Sequence, residues 1–229
     1  MTTHRFFVER GTAADERFAI PDVISHQVTH VLRLRDGDEI VLLEGDGLEV
    51  RCRLGAGGLD VVSRAPALGE PGHRLTVAQA LLKGDHLEPV VRHGTEVGIS
   101  RFELFVSDRC VVREISDARL ARVRAVAREA AEQSERGIVP EVVAPVPMAH
   151  LTGPGSVLLF ERTDGPRLSE VPAPERLIIG PEGGFSQDEV RAAEQSGATI
   201  AGLGPRILRS ESAAVAAAAV VLSRTGDFA

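Results

Sequence analysis

Leu177-Ile178-Ile179-Gly180-Pro181-Glu182-Gly183-Gly184-Phe185-Ser186, continued by Gln187-Asp188-Glu189, runs from an apolar strand through a glycine turn into a helix. Three aliphatic residues ahead of a glycine read as a strand buried on both faces. Ser186 with Glu189 three positions later is the capping-box pattern that opens a helix, and Gly197 can end it. Outward from this segment the same apolar strand signature recurs at Leu75 to Leu82, Phe102 to Val106, Val157 to Phe160 and Thr199 to Leu203. Helical segments lie between them. In Asp117 to Ser134, Leu120, Val123, Ala127 and Ala130 fall on one face. Glu211 to Ser223 (ESAAVAAAAVVLS) is rich in alanine and nearly uncharged, so it must be buried against the sheet or against another subunit. Buried strands alternating with helices predict an α/β domain with a mainly parallel sheet over residues 75–229.

Residues 1–70 read differently. Short runs at Arg5 to Val8, Glu39 to Glu44, Leu48 to Leu54 and Leu59 to Val62 are separated by turn chemistry at Asp36-Gly37-Asp38, Gly45-Asp46-Gly47 and Gly55-Ala56-Gly57-Gly58. A small β-rich unit, a barrel, is expected. Ser25 to Arg35 carries Val28, Val31, Leu32 and Leu34, a short helical patch with Arg33 and Arg35 beside it. Arg64 to Arg74 (RAPALGEPGHR) reads as the linker.

A chain of 229 residues is long enough for one large domain or two small ones. No apolar run reaches the roughly 18 residues of a membrane span, and MTTHRFFVERG lacks the apolar core of a signal peptide. A soluble cytoplasmic protein is expected. Cys52 and Cys110 form no C-x-x-C pattern, so both are expected as free thiols, and no metal site is indicated. The formal net charge of −7 argues against indiscriminate binding to phosphate backbones, which rests on clustered positive charge. A local basic face stays open. All but Lys83 of the 26 basic residues are arginine, a bias read as composition rather than as recognition.

No phosphate-loop, H-E-x-x-H, G-x-S-x-G or complete G-x-G-x-x-G pattern is present. His26 and His30 stand four apart without a third ligand nearby, which favours a packing role. What remains is a pair of loops. Gly180 to Gly184 follows a strand and sets a carboxylate, Glu182, among glycines that permit close backbone approach. A loop whose one charge is negative suits a cationic or hydroxyl-rich ligand better than a phosphate. Gly202-Leu203-Gly204-Pro205-Arg206-Ile207-Leu208-Arg209-Ser210-Glu211-Ser212-Ala213 follows another strand and brings two arginines and a glutamate to the start of the apolar helix. Phe160-Glu161-Arg162 ends a third strand. Ligands of open α/β sheets bind outside the carboxyl ends of strands, so these three ends either share one crevice or are tight connections with salt-bridged helix starts.

GPEGGFSQDE and LGPRILRSES, with Arg128-Glu129-Ala130-Ala131-Glu132-Gln133-Ser134-Glu135-Arg136 and Val139-Pro140-Glu141 ahead of them, resemble the bacterial ribosomal RNA small subunit methyltransferase E family of the knotted SPOUT superfamily. Arg5-Phe6, His30-Val31-Leu32-Arg33, Gly37-Asp38, Lys83-Gly84-Asp85 and Thr95-Glu96-Val97-Gly98 match in order, so the resemblance covers nearly the whole chain. It implies a PUA-like RNA-binding barrel at 1–70 and a SPOUT methyltransferase domain with a trefoil knot at 75–229. It further implies a homodimer that uses S-adenosylmethionine to methylate N3 of a uridine in 16S ribosomal RNA of the small subunit, with no metal and no membrane.

Carried over by position, the resemblance places the cofactor against Phe160, Glu161, Ile179, Gly180, Pro181, Glu182, Gly183, Gly184, Leu203, Gly204, Arg206, Ile207, Leu208 and Arg209. Arg209 is expected to stabilise negative charge on the uracil carbonyl oxygens, and Glu211 to orient Arg209 or accept the N3 proton. RNA contacts are expected from Arg5, Arg33, Arg35, Arg109, Arg113, Arg124, Arg128 and Arg136. The chain departs from the family where Glu96-Val97-Gly98 replaces Glu-Leu-Gly, Asp108-Arg109-Cys110 replaces Glu-Arg-Ser and Ser210-Glu211-Ser212 replaces Thr-Glu-Thr. A SPOUT enzyme acting on another RNA and a non-catalytic RNA-binding or ribosome assembly protein are the alternatives.

Overall fold

The computed structural model describes residues 3–228. By contacts the chain forms two compact units, one reaching to Glu70 and including Ala131–Val139, the other made of Pro71–Ala130 and the chain from Pro140 onward.

The first unit holds a five-stranded sheet of β1 (His4–Phe7), β2 (Arg17–Phe18), β3 (Glu39–Leu43), β4 (Leu48–Gly55) and β5 (Gly58–Pro66), in the order β1-β3-β4-β5-β2. β1 runs parallel to β3, and the remaining pairs are antiparallel. Because side chains alternate along a strand, β3 serves two cores. Ile40 and Leu42 join Phe6, Cys52 and Leu59 on one side. Val41 and Leu43 meet Phe7 and Ala131 on the other. Helix α1 (Asp22–His26) and a π-helical turn at Gln27–Val31 supply Ile24 and Val28 to the first core. The helical patch expected at Ser25 to Arg35 therefore starts earlier and stops at Val31, before Arg33 turns to a positive φ of 54°. The expected linker begins inside β5, which continues to Pro66.

The second unit is a six-stranded parallel sheet of β6 (Thr76–Ala80), β7 (Arg101–Phe105), β8 (Glu141–Val146), β9 (Ser156–Leu159), β10 (Arg176–Ile179) and β11 (Thr199–Ala201). Its order is β11-β9-β10-β6-β7-β8, and every pair is parallel. The mixed α/β architecture with a parallel sheet is the one the apolar runs predict. Helices α2 (Leu87–Glu96), α3 (Asp117–Gln133), α4 (Gln187–Gln195) and α5 (Ser210–Thr225) complete it. Leu120, Val123, Ala127 and Ala130 of α3 are buried together, as their spacing demands. Ser186 caps α4 with a reciprocal box: its Oγ accepts from the N–H of Glu189 and its own N–H donates to the Glu189 carboxylate. α5 packs on α2, β10 and β6 through Ala214, Ala217, Ala218, Val221 and Leu222.

One crossing shapes the carboxyl end of the sheet. The N–H of Phe160 donates to Ala201 O at 3.0 Å, while Gly202 exchanges bonds with Pro166 O and the N–H of Leu168. The chain leaving β11 is thus held between the two arms of the 160–168 loop before it reaches α5.

Candidate functional site

The three strand ends singled out by sequence meet around one cavity of about 490 Å³ at the carboxyl side of the parallel sheet. Of the expected cofactor residues, Phe160, Glu161, Ile179, Gly180, Pro181, Glu182, Gly184, Leu203, Gly204, Arg206, Ile207, Leu208 and Arg209 line it. Gly183 is in the same loop but not in the lining, and its carbonyl accepts from Arg109 Nη1 at 3.2 Å. Glu211 lines the cavity beside Arg209.

The loop after β10 is stapled on several sides. The N–H of Gly184 returns to Pro181 O at 2.9 Å, and Gly184 has a φ of 68°, where glycine is favoured. A Cβ on Gly184 would lie 3.3 Å from Glu161 Oε1, and one on Gly180 would lie 3.0 Å from the ring of Phe185. Phe185 is buried and stacks on Phe105 with centroids 6.3 Å apart. Glu182 Oε1 accepts from the N–H of Lys83 at 3.1 Å, which ties the loop to the chain leaving β6. Asp108 adds another tie: its N–H donates to Glu189 Oε1 and its carboxylate accepts from Ser186 Oγ, both at 2.9 Å.

The resulting wall has two characters. Leu159, Phe160, Ile179, Phe185, Leu203 and Leu208 form an apolar slot, and Glu161 and Glu182 bring carboxylates to it. Arg206, Arg209, Glu211 and Lys83 bring the remaining charge, and His86 Nδ1 lies 3.6 Å from Glu211 Oε1. Lys83, His86, Leu159, Phe185, Ser210 and Ala213 are lining residues that sequence reasoning did not include. Lys83-Gly84-Asp85 was a visible signal for the first. Ser210 carried no signal beyond its place in the second loop.

The arginines expected to touch RNA divide by environment. Arg33 and Arg35 are exposed in the first unit, and Arg109, Arg113, Arg124 and Arg128 are exposed in the second. Arg124 also donates to Val142 O at 3.0 Å, and Arg113 to Asp108 O at 2.7 Å. Two expectations need correction. The side chain of Arg5 is only 11% exposed and pairs with Glu135 at 2.7 Å and Glu49 at 3.4 Å. The side chain of Arg136 is 2% exposed and paired with Glu70. Guanidinium groups so enclosed hold the first unit together and present no fork to a phosphate. Among the described residues no group of three or more His, Cys, Asp and Glu could hold a metal, and His26 and His30 stack at 5.1 Å. No helix of the described residues is long and apolar enough to cross a membrane.

The RNA methyltransferase domain family model matches residues 70–222, and the RNA methyltransferase PUA domain model matches residues 26–62. The ribosomal RNA small subunit methyltransferase E of Bacillus subtilis is 32% identical, with 96% of each chain covered. The chain belongs to this family. The Mycobacterium bovis member is 34% identical, over 83% of this chain and 80% of its own. Among solved structures, the family member from Neisseria gonorrhoeae bound to S-adenosyl methionine superposes with a TM-score of 0.90 at 26% identity, covering 100% of both chains. A methyltransferase from Legionella pneumophila in complex with the same cofactor gives 0.83 at 26% identity, covering 98% of each. In this methyltransferase E chain the cavity therefore lies within the RNA methyltransferase domain, and the small unit contains the match to the PUA domain.

Proposed function

We propose that this protein transfers the methyl group of S-adenosylmethionine to N3 of a uridine in 16S ribosomal RNA of the small subunit, and does so as a homodimer. The observation that carries the reading is the meeting of the 180–184 and 203–209 loops around one cavity with Arg209 and Glu211 on its wall. About 490 Å³ is within the range of small-molecule sites. Its apolar slot suits an adenine ring, and carboxylates at Glu161 and Glu182 suit ribose hydroxyls and a sulfonium cation better than they would suit phosphate.

S-adenosylmethionine supplies a methyl on a positively charged sulfur, open to in-line displacement. This chain supplies orientation and charge. The loop staples hold the backbone in place, so that reactant geometry is set in advance. Arg209 donates toward the uracil oxygens as the N3–H proton leaves. Glu211 orients Arg209 or takes that proton. Arg33 and Arg35 on the small unit and Arg109, Arg113, Arg124 and Arg128 on the large one position the RNA, while unpaired bases and shape specify it.

The outer residues of α5, Val215, Ala216, Ala219 and Val220, stay half-buried in one copy, and Ile207 is 75% exposed. This apolar surface supports pairing of two chains. The hydrogen bonds that join Ala201 and Gly202 to both arms of the 160–168 loop support, on the same reading, the family's trefoil knot.

The decisive experiment incubates the protein with labelled S-adenosylmethionine and, in parallel, unmodified small ribosomal subunits, naked 16S RNA and transfer RNA, followed by nucleoside analysis. Label in 3-methyluridine from small subunits is the expected result. Label only in transfer RNA, or in another nucleoside, would move the reading to a different RNA target. Cofactor binding without transfer to any substrate would support a non-catalytic role.

A further inference from the structure

Gln79 has no solvent exposure on β6, a central strand whose Val77, Ala78 and Ala80 are equally buried. Its side-chain amide donates to Ser210 Oγ at 2.9 Å, and Ser210 Oγ donates to the carbonyl oxygen of Gly180 at 2.6 Å. A hydroxyl has one proton to give. Because Ser210 gives it to Gly180, Gln79 must be the donor to Ser210, and that fixes both the direction of the chain and the orientation of the amide. The amide also reaches Ala80 O at 3.1 Å, but Gln79 Oε1 meets no hydrogen-bond partner among the described residues.

An unpaired buried oxygen costs stability, and a Leu or Met of similar volume would fill the same space without that cost. Core stability therefore does not account for Gln79. Its contacts do: they join β6, the end of β10 and the first residue of α5, which lie far apart in sequence and come together behind one cavity. Gly180 has no side chain to anchor, and the residue before Ser210, Arg209, occupies the N-cap position of α5 without a side-chain cap bond.

We propose that Gln79 is a positioning residue for cofactor binding, acting through Ser210 to fix the Gly180 carbonyl and with it the turn from β10 into the glycine loop. The proposal rests on the reading of this cavity as the S-adenosylmethionine site. Ser210 touches the cavity, whereas Gln79 works only through it.

The test compares Ser210→Ala, Ser210→Thr, Gln79→Met and the Ser210→Ala/Gln79→Met pair in the full chain. Amide hydrogen exchange of residues 177–186 without ligand reads the loop, and calorimetric titration with S-adenosylmethionine reads the site. Ser210→Ala and Gln79→Met should each speed exchange in that segment and weaken the cofactor about tenfold, the equivalent of about 1.4 kcal/mol. The KM for S-adenosylmethionine should rise by a larger factor than kcat falls, a split that a general loss of folding would not give. The pair should be little worse than either single change, and Ser210→Thr, which keeps the hydroxyl, should behave as the parent. Unchanged exchange and affinity in folded Ser210→Ala, or a Ser210→Thr protein as impaired as Ser210→Ala, would overturn the proposal. If Gln79→Met does not fold, the Ala and Thr changes at 210 decide it alone. A parent protein that takes up no S-adenosylmethionine would instead overturn the identity of the ligand and the cofactor part of the proposal, while the exchange comparison still decides whether the relay holds the loop.

Discussion

Arg136 Nη2 lies 3.1 Å from Glu70 Oε2, and the same carboxylate accepts from the N–H of Ile138 at 2.9 Å. The pair ties the chain beyond β5 to the Ala131–Val139 segment that belongs to the same unit. Removing one member of a buried ion pair strands the other and costs about 3–5 kcal/mol. Arg136→Ala is expected to lower the unfolding free energy by that order in denaturant titration, with RNA affinity of the remaining folded protein unchanged. Adding Glu70→Leu should restore part of the loss. A stable Arg136→Ala protein that has lost RNA binding would return Arg136 to the RNA footprint.

Arg209 and Glu211 flank Ser210 at the start of α5 and share the cavity wall. Loss of one preorganised donor typically costs about 100- to 1000-fold in turnover, so Arg209→Ala should lower kcat on small subunits by that range. Glu211→Gln keeps size but not charge, and should also lower kcat while cofactor affinity changes less than threefold or so, within the scatter of a lost neutral contact. Single-turnover transfer assays separate these outcomes from binding. Near-normal turnover in Arg209→Ala would remove its assigned role.

Most of the parallel sheet was legible because its strands are largely apolar runs, and α3, α4 and α5 were legible because their faces or caps are. α2 and β8 were not. Pro89 and Gly94 interrupt the pattern of α2, yet Gly94 is required there, since a Cβ would come within 2.9 Å of the Phe102 ring. Pro145 obscures β8, which tolerates it because β8 is an edge strand. Glycine loops with odd charges announced the cavity, but the Gln79 to Ser210 bond spans 131 positions, and no local pattern encodes such a pairing. Likewise an exposed and an enclosed arginine look alike in sequence; the partners of Arg5 and Arg136 decided their roles.

Gly184 combines a left-handed φ of 68° with a close approach to Glu161. Gly184→Ala must strain the backbone and displace that carboxylate, at about 1 kcal/mol or more for the conformation alone. The expected result is cofactor affinity lower by roughly tenfold with a smaller change in thermal midpoint than Arg136→Ala produces. Unchanged affinity would show that Glu161 does not face the ligand.

Arg33 and Arg35 are exposed on the first unit. If they contact phosphates, Arg33→Glu with Arg35→Glu should weaken binding to small subunits and reduce the slope of log affinity against log salt by roughly 1 to 2. Cofactor affinity and stability should not move. An unchanged salt slope would take the pair out of the footprint.

Cys52 has no solvent exposure and its thiol is pushed up to about 11 by burial, with the charge of Arg64 opposing. Burial also raises Cys110. A thiol harder to ionise when folded than when unfolded holds its proton in the native state longer. Its contribution to stability is complete below the ordinary value of 9.0 and is lost as pH climbs toward 11. The chain has no tyrosine, and Lys83 is its single lysine, so few other side chains titrate in that window. Thermal midpoints measured from about pH 8 to 11 should therefore fall in the parent protein. The fall should be shallower in Cys52→Ala and shallower still when Cys110→Ala is added, whatever the cost of the cavities at lower pH. The native thiols should also resist alkylation at pH near 8 and react on unfolding. Parallel alkaline profiles for parent and double variant would mean that neither thiol is held in its protonated form by the fold.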